Sequence, residues 1–137
     1  MLKRIDAAGI LFQDVDGFIL LLLRHPNGDE GGTWGLVGGK LDEGESSVEA
    51  AVRETKEEIG LSLDAQNLKL TRSYNWSRAK YEVSFDVYLY LVDTRPANVQ
   101  LDLEENIEYG WFSPKEAYAR KDLMEGLYPI LKDHYGL

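Results

Sequence analysis

Glu54, Glu57 and Glu58 stand at relative positions i, i+3 and i+4 within the stretch GKLDEGESSVEAAVRETKEEIGL, residues 39–61. On a helix each residue advances about 100°, so this spacing gathers the three carboxylates on one arc. A cluster of oxygen donors suits a hard divalent cation and the phosphate that such a cation holds. Like charges on one helix face repel by about a few tenths of a kcal/mol per pair, which a stable helix tolerates. A solvated face would normally intersperse lysines, and here Lys56 points elsewhere. Arg53 lies one turn before Glu57 and can pair with it. From helix spacing alone, a charged solvent face braced by Arg53 is an equal alternative.

A helix must carry these residues, and its ends are written in the sequence. Ser46 and Glu49 have the S-x-x-E spacing of a capping box. Gly60 supplies a left-handed stop. Val48, Ala51, Val52, Thr55 and Ile59 fall on one arc, read as the buried face. Ala50 shares the acidic arc and leaves room above it. The helix follows a stretch with seven of the chain's 13 glycines, from Gly28 to Gly44. We read that stretch as a loop whose backbone can approach a ligand closely. Gly38 and Gly39 precede the acidic segment, and a carbonyl there could supply one more oxygen. A flexible surface loop is the plainer alternative.

Gly39, five residues, Glu45, seven residues, Arg53-Glu54, Thr55, Lys56, Glu57-Glu58, Ile59, Gly60, Leu61: this order resembles the Nudix box, G-x5-E-x7-R-E-U-x-E-E-x-G-U, where U is bulky and apolar. Every polar and glycine position agrees. Thr55 departs from the usual aliphatic residue; its methyl is expected to pack while its hydroxyl bonds back into the helix. Val37 replaces a proline common before the two glycines. The resemblance implies that Glu54, Glu57 and Glu58 are metal ligands, joined by the carbonyl of Gly38 or Gly39. It implies a structural role for Gly39, Glu45, Arg53 and Gly60, with Arg53 steadying a ligand carboxylate and Glu45 anchoring the loop. The family's general base varies between a box glutamate and one from a later loop. Glu104, Glu105 and Glu108 precede the strand of Trp111 and Phe112, where many relatives place it, and Glu105 is our choice. Ordinary solvated acids are the alternative.

The resemblance further implies an α/β fold, the Nudix α/β/α sandwich with a mixed sheet, as one domain over residues 1–137. Alternating apolar patterns agree, marking strands near 5–12, 18–24, 68–74, 81–92 and 107–112. In the fourth, Tyr81, Val83, Phe85, Val87, Leu89 and Leu91 share one face. Ser113-Pro114-Lys115-Glu116 is a second capping box with proline at the first helical position. A final helix is expected over 123–135, with Pro129 near its start or kinking it.

Among basic residues, Arg24, Lys40 and Arg72 could meet phosphate, and Arg24 and Lys40 lie nearest the box. Trp34 and Trp76 could stack on a base, an interaction worth about 1–3 kcal/mol in single-strand binders. Packing of the loop is the better reading for Trp34. Trp76 is read in a turn, NWSRAK, as a base contact, a lid or a dimer contact. His25 and His134 lack partners at motif spacing and read as surface residues.

Composition narrows the class. The 15 basic and 24 acidic residues give a net charge of −9, which disfavours nonspecific binding to nucleic acid. A small nucleotide stays acceptable because a bound cation inverts the local field. There are no cysteines, which excludes thiolate metal sites and disulfides and fits a cytoplasmic setting. With carboxylates as donors, Mg²⁺ or Mn²⁺ is favoured over zinc. The longest strongly apolar run, 18–23, is far too short to span a bilayer, and the start reads as a strand and not a signal peptide. The activity that the Nudix resemblance implies is metal-dependent hydrolysis of a diphosphate linkage, with a (d)NTP as substrate. ADP-ribose and dinucleoside polyphosphates are alternatives within the class, and a nonhydrolytic, nucleotide-binding regulatory module is the alternative outside it. Dimers are common among Nudix proteins, so the resemblance admits a homodimer.

Overall fold

The computed structural model describes residues 2–137. Its organising element is β1 (Lys3–Gln13), a strand that is apolar and buried from Ala8 to Phe12 and has neighbours on both edges. One edge runs parallel to β6 (Tyr81–Leu91), from Lys3 opposite Tyr81 to Gln13 opposite Leu91. The other edge is shared. Ala7 to Ile10 pair antiparallel with β4 (Val37–Lys40), and Gln13 meets Ile19 at the start of β2 (Ile19–Arg24). β2 pairs with both β3 (Trp34–Gly35) and β7 (Asn106–Phe112), and β5 (Lys69–Arg78) borders β6. The result is a mixed sheet of seven strands.

Alternation along these strands feeds two cores. Ala8, Ile10 and Phe12 of β1, Leu20 and Leu22 of β2 and Tyr88 of β6 pack toward α1 (Ser47–Ile59). Leu11, Ile19, Leu21 and Val87 pack the other way, toward α2 (Pro114–Tyr118) and α3 (Leu127–Tyr135). A strand covered on both faces must be apolar at nearly every position, and the LLLL run of β2 meets that demand. This is the expected α/β/α sandwich. No helix among the described residues is long and apolar enough to cross a membrane.

α1 starts and stops where its caps require. Ser46 accepts from the backbone of Glu49, the Glu49 side chain returns to Ser46, and Gly60 ends the helix at φ 74°. Thr55 is fully buried, and its hydroxyl donates to the Ala51 carbonyl at 2.8 Å. Ala50, expected to leave open room, is instead fully buried beside Ala51. The helix packs on β4 as well as β1, so its covered band is wider than one arc.

Three further expectations are corrected. The glycine-rich stretch is not one loop, because β3 and β4 lie within it; pairing with β1 and β2 overrides glycine's weak strand preference. Trp76 is not in a turn but in β5, opposite Val83. The turn falls at Ala79 and Lys80, with Ala79 at φ 51°. The last helix begins at Leu127, not at 123, since Leu123 forms a bridge with Trp34. Pro129 is the third residue of α3, in the first turn, where its missing N–H costs no helical bond.

Gly9 shows how tightly the layers meet. A methyl group there would stand 2.5 Å from Cζ of Phe85. Gly9→Ala should therefore cost about 1–3 kcal/mol of stability, the usual range for overpacking. The check is a lowered urea midpoint at unchanged slope; an unchanged midpoint would mean that the Phe85 ring moves aside freely.

Candidate active site

Arg53 is the hub from which the acidic side chains are arranged. Its Nε and Nη2 donate to the two oxygens of Glu45 at 2.8 and 2.9 Å, a two-pronged contact that fits guanidinium to carboxylate. Nη2 also donates to the Lys40 carbonyl at the end of β4, at 3.0 Å. Nη1 donates to Glu54 at 2.9 Å and to Glu57 at 3.1 Å. Glu45 in turn accepts from the backbone of Asp42. The bond from Arg53 is the main cause holding the Glu45 carboxyl below its usual range.

The three box glutamates do not share one exposed face. The Glu57 side chain is 54% exposed and that of Glu54 16%, while Glu58 is 6% exposed. The arc straddles the line where α1 meets β4, which puts Glu58 inside. There its Oε1 accepts from the Gly38 backbone at 2.7 Å and its Oε2 from Asn106 Nδ2 at 3.2 Å. Burial pushes the Glu58 carboxyl up to about 8; the Gly38 bond opposes this and the charges of Glu54 and Glu105 add to it. Burial also raises Glu54, against the pull of Arg53.

The two glycines make this approach feasible. A Cβ on Gly39 would lie 2.7 Å from the Glu54 carboxylate carbon, and one on Gly38 2.1 Å from the Ala8 carbonyl oxygen. Among the described residues, no three His, Cys, Asp or Glu side chains are placed to hold one ion together. Glu54 and Glu57 are turned onto Arg53, and Glu58 onto Gly38 and Asn106. The donor chemistry nevertheless suits Mg²⁺ or Mn²⁺: oxygen donors only, two of the carboxyls desolvated, and a side-chain-free strand against them. Glu54, Glu57, Glu58 and a Gly38 or Gly39 carbonyl could hold such an ion.

Beside the glycine strand lies a cleft of about 200 Å³. Arg24, Lys40 and Trp76 all line it together with Gly38 and Gly39, so the three substrate candidates and both glycines come together. Phe85 and Met124 add to its lining, and Trp76 meets Phe85 edge to face at 5.9 Å. Arg24 is held by a bond from Nε to the Asp29 carbonyl at 2.8 Å. Glu105 is exposed, and its charge bears on both Glu54 and Glu58. Arg72 is elsewhere, paired with Asp133 at 2.7 Å. Trp34 is buried against Phe112, as its packing reading expected.

Sequence reasoning missed Asn106, Phe85 and Met124. Asn106 is 48 residues from Glu58, and no motif spacing links them. Phe85 was read only as part of an apolar strand face.

The raised Glu58 carboxyl has a pH signature. Its folded value of about 8 lies above the ordinary 4.5, so the folded state holds the proton more tightly than the unfolded state. Its stabilising contribution is complete below pH 4.5 and is lost as pH rises toward about 8. In EDTA, urea midpoints of the parent should fall across that window relative to those of Glu58→Gln. Parallel curves for the two proteins would refute the assigned burial effect.

The comparisons with known proteins bear on the whole arrangement. The family model for the NUDIX domain matches residues 3–134. A provisionally named 8-oxo-dGTP diphosphatase of Mycobacterium tuberculosis is 42% identical over 72 residues, which are 50% of this chain and 33% of that protein. The chain thus spans about a third of that relative's length. The CTP pyrophosphohydrolase of Escherichia coli is 28% identical over 116 residues, 85% of this chain and 81% of the relative. The crystal structure of a MutT protein from Methanosarcina mazei superposes with a TM-score of 0.84 at 26% identity, covering 98% of this chain and 96% of the other. With the match extending over nearly all of the sandwich that carries the Arg53 hub, the glycine strand and the cleft, this chain belongs to the NUDIX domain family.

Proposed function

We propose that this chain acts as a single Nudix domain over residues 1–137 and hydrolyses a phosphoric anhydride bond of a nucleotide, with (d)NTPs as the substrate class. The observation that carries the reading is the Gly38-Gly39 strand. It borders the cleft and also touches the half-buried carboxylate Glu54 and the buried Glu58. A triphosphate seated with its base in the cleft would therefore bring its anhydride bonds to the acids. The relatives named for 8-oxo-dGTP and CTP support the class, since both names are of nucleoside triphosphates.

The residues divide the work. Trp76 and Phe85 offer ring surface to the base. Lys40 and Arg24, which line the cleft, offset phosphate charge. Mg²⁺ or Mn²⁺, held by Glu54, Glu57, Glu58 and a Gly38 or Gly39 carbonyl, would neutralise phosphate oxygens and make water in the site more acidic. Arg53 keeps Glu54 and Glu57 oriented, and Glu45 keeps Arg53 in place. Glu105 takes the proton of the attacking water as its oxygen bonds to phosphorus. The bridging P–O bond then breaks, and its electron pair leaves with the departing phosphate group.

The test is release of pyrophosphate from a panel of dNTPs, CTP and an oxidised dGTP, with the nucleotide products from ADP-ribose and diadenosine polyphosphates separated by chromatography alongside, in Mg²⁺, Mn²⁺ or EDTA. Turnover of triphosphates that EDTA abolishes is the expected result. Ligand binding without turnover across the panel would replace the hydrolase with a regulatory nucleotide-binding module. Glu57→Gln keeps the shape of the side chain and removes a ligand charge. It should lower kcat by more than the roughly 10–100-fold typical of outer partners of a metal ligand, with circular dichroism unchanged. Equal turnover in the variant and the parent would sink the metal assignment.

A further inference from the structure

We infer that Asn106, which lies outside the box, is a positioning residue that sets the direction in which the Glu58 carboxylate faces a divalent cation. The inference rests on the reading of Glu58 as a cation ligand.

Glu58 is gripped from two sides by neutral donors on different strands: the Gly38 backbone on Oε1 and the Asn106 amide on Oε2. A carboxylate has about four lone-pair directions. One on each oxygen is taken, which leaves the others pointing away from both donors. The group cannot rotate about its terminal bond without breaking one contact. Asn106 is itself 3% exposed, so no water can easily replace it.

The backbone is shaped to deliver this side chain. On β7, Gly110 and Phe112 turn to the layer of α3, and Trp111 packs toward α1. Strict alternation would place Asn106 with Gly110 and Phe112, away from Glu58. Between Leu23 and Arg24 the register with β7 slips from Glu108 to Asn106, which leaves Ile107 as an extra residue. A bulge of one residue reverses the faces of the residues beyond it, and here it sends Asn106 toward α1. The preceding segment is also tied to the end of that helix. Gln100 donates to the Ile59 carbonyl at 3.0 Å, Asp102 to the Glu58 carbonyl at 3.4 Å, and Asn106 to the Asp102 carbonyl at 2.9 Å. Glu58 is thus held by backbone and by side chain to one short stretch outside the box.

The experiment is a direct titration of Mn²⁺ binding by electron paramagnetic resonance, without substrate, on the parent, Asn106→Ala and Asn106→Leu. Leu has nearly the branching of Asn but no donor. Both variants should bind Mn²⁺ about tenfold more weakly or worse. In a Glu58→Gln background, Asn106→Ala should add little, since the two act through one contact. Parent-like affinity in both variants would overturn the inference. So would recovery in Asn106→Leu alone, which would make the residue a space filler. Failure of the parent to bind Mn²⁺ would overturn the proposed function first and this inference with it. A readout free of variants is the Asn106 side-chain NH₂ resonance of the parent. It should shift when Mg²⁺ is added, and a resonance that stays in place at saturating Mg²⁺ would count against the inference.

Discussion

One guanidinium group organises the acidic half of this molecule. Arg53 binds Glu45, Glu54, Glu57 and the Lys40 carbonyl, and Asp42 stands 3.2 Å from it as well. These partners come from the end of β4, the turn after it and the helix itself. Their placement relative to one another therefore depends on one side chain. A lysine has the charge but not the planar fork, so it could not reach these acceptors at once. In a chain of net charge −9, a single cation set among four acids also relieves repulsion where it is greatest.

The second constraint is distance of approach. α1 lies on β4 so closely that a side chain at Gly39 would occupy the place of the Glu54 carboxylate. Closeness has an electrostatic cost, because Glu58 enters a poorly solvated space. Two neutral donors, the Gly38 N–H and the Asn106 amide, offset part of that cost, and burial still pushes the carboxyl up to about 8. The carboxyl is thus held with dipoles and not with an opposite charge.

The glycine strand lies between the acidic cluster of α1 and the cleft. Acids gather where α1 meets it, and the cleft beside it is lined mainly by Trp76, Phe85, Met124 and aliphatic residues. The cleft residues come from β1, β2, β4, β5, β6, α3 and the segments beside them, and of these Lys40 also binds Arg53 through its carbonyl. Trp76, Phe85 and Met124 make no bond to Arg53 or the acids, so changes there can alter what fits without disturbing the acids. This accords with a fold shared at a TM-score of 0.84 with a protein only 26% identical.

Local interactions were legible in the sequence. The caps of α1 and α2, the helical period that brings Arg53 to Glu57, and the back-bond of Thr55 involve residues within about four positions of one another, so short spacing decides them. The two faces of β6 were legible for the same reason, since alternation needs no partner to be seen. What lay beyond reach depends on pairing across the chain. β4 exists because Gly38 meets Gly9, and of its own four residues only Val37 favours a strand. Trp76 lies in β5 because β6 extends the ladder to Tyr81. Glu58 is buried because α1 packs at the margin of β4, and Asn106 reaches it through a bulge whose register is set by β2. The sequence alone determined which groups could do chemistry; only tertiary contacts decided which of them are desolvated, held and turned toward one another, because burial and register are properties of neighbours far away in the chain.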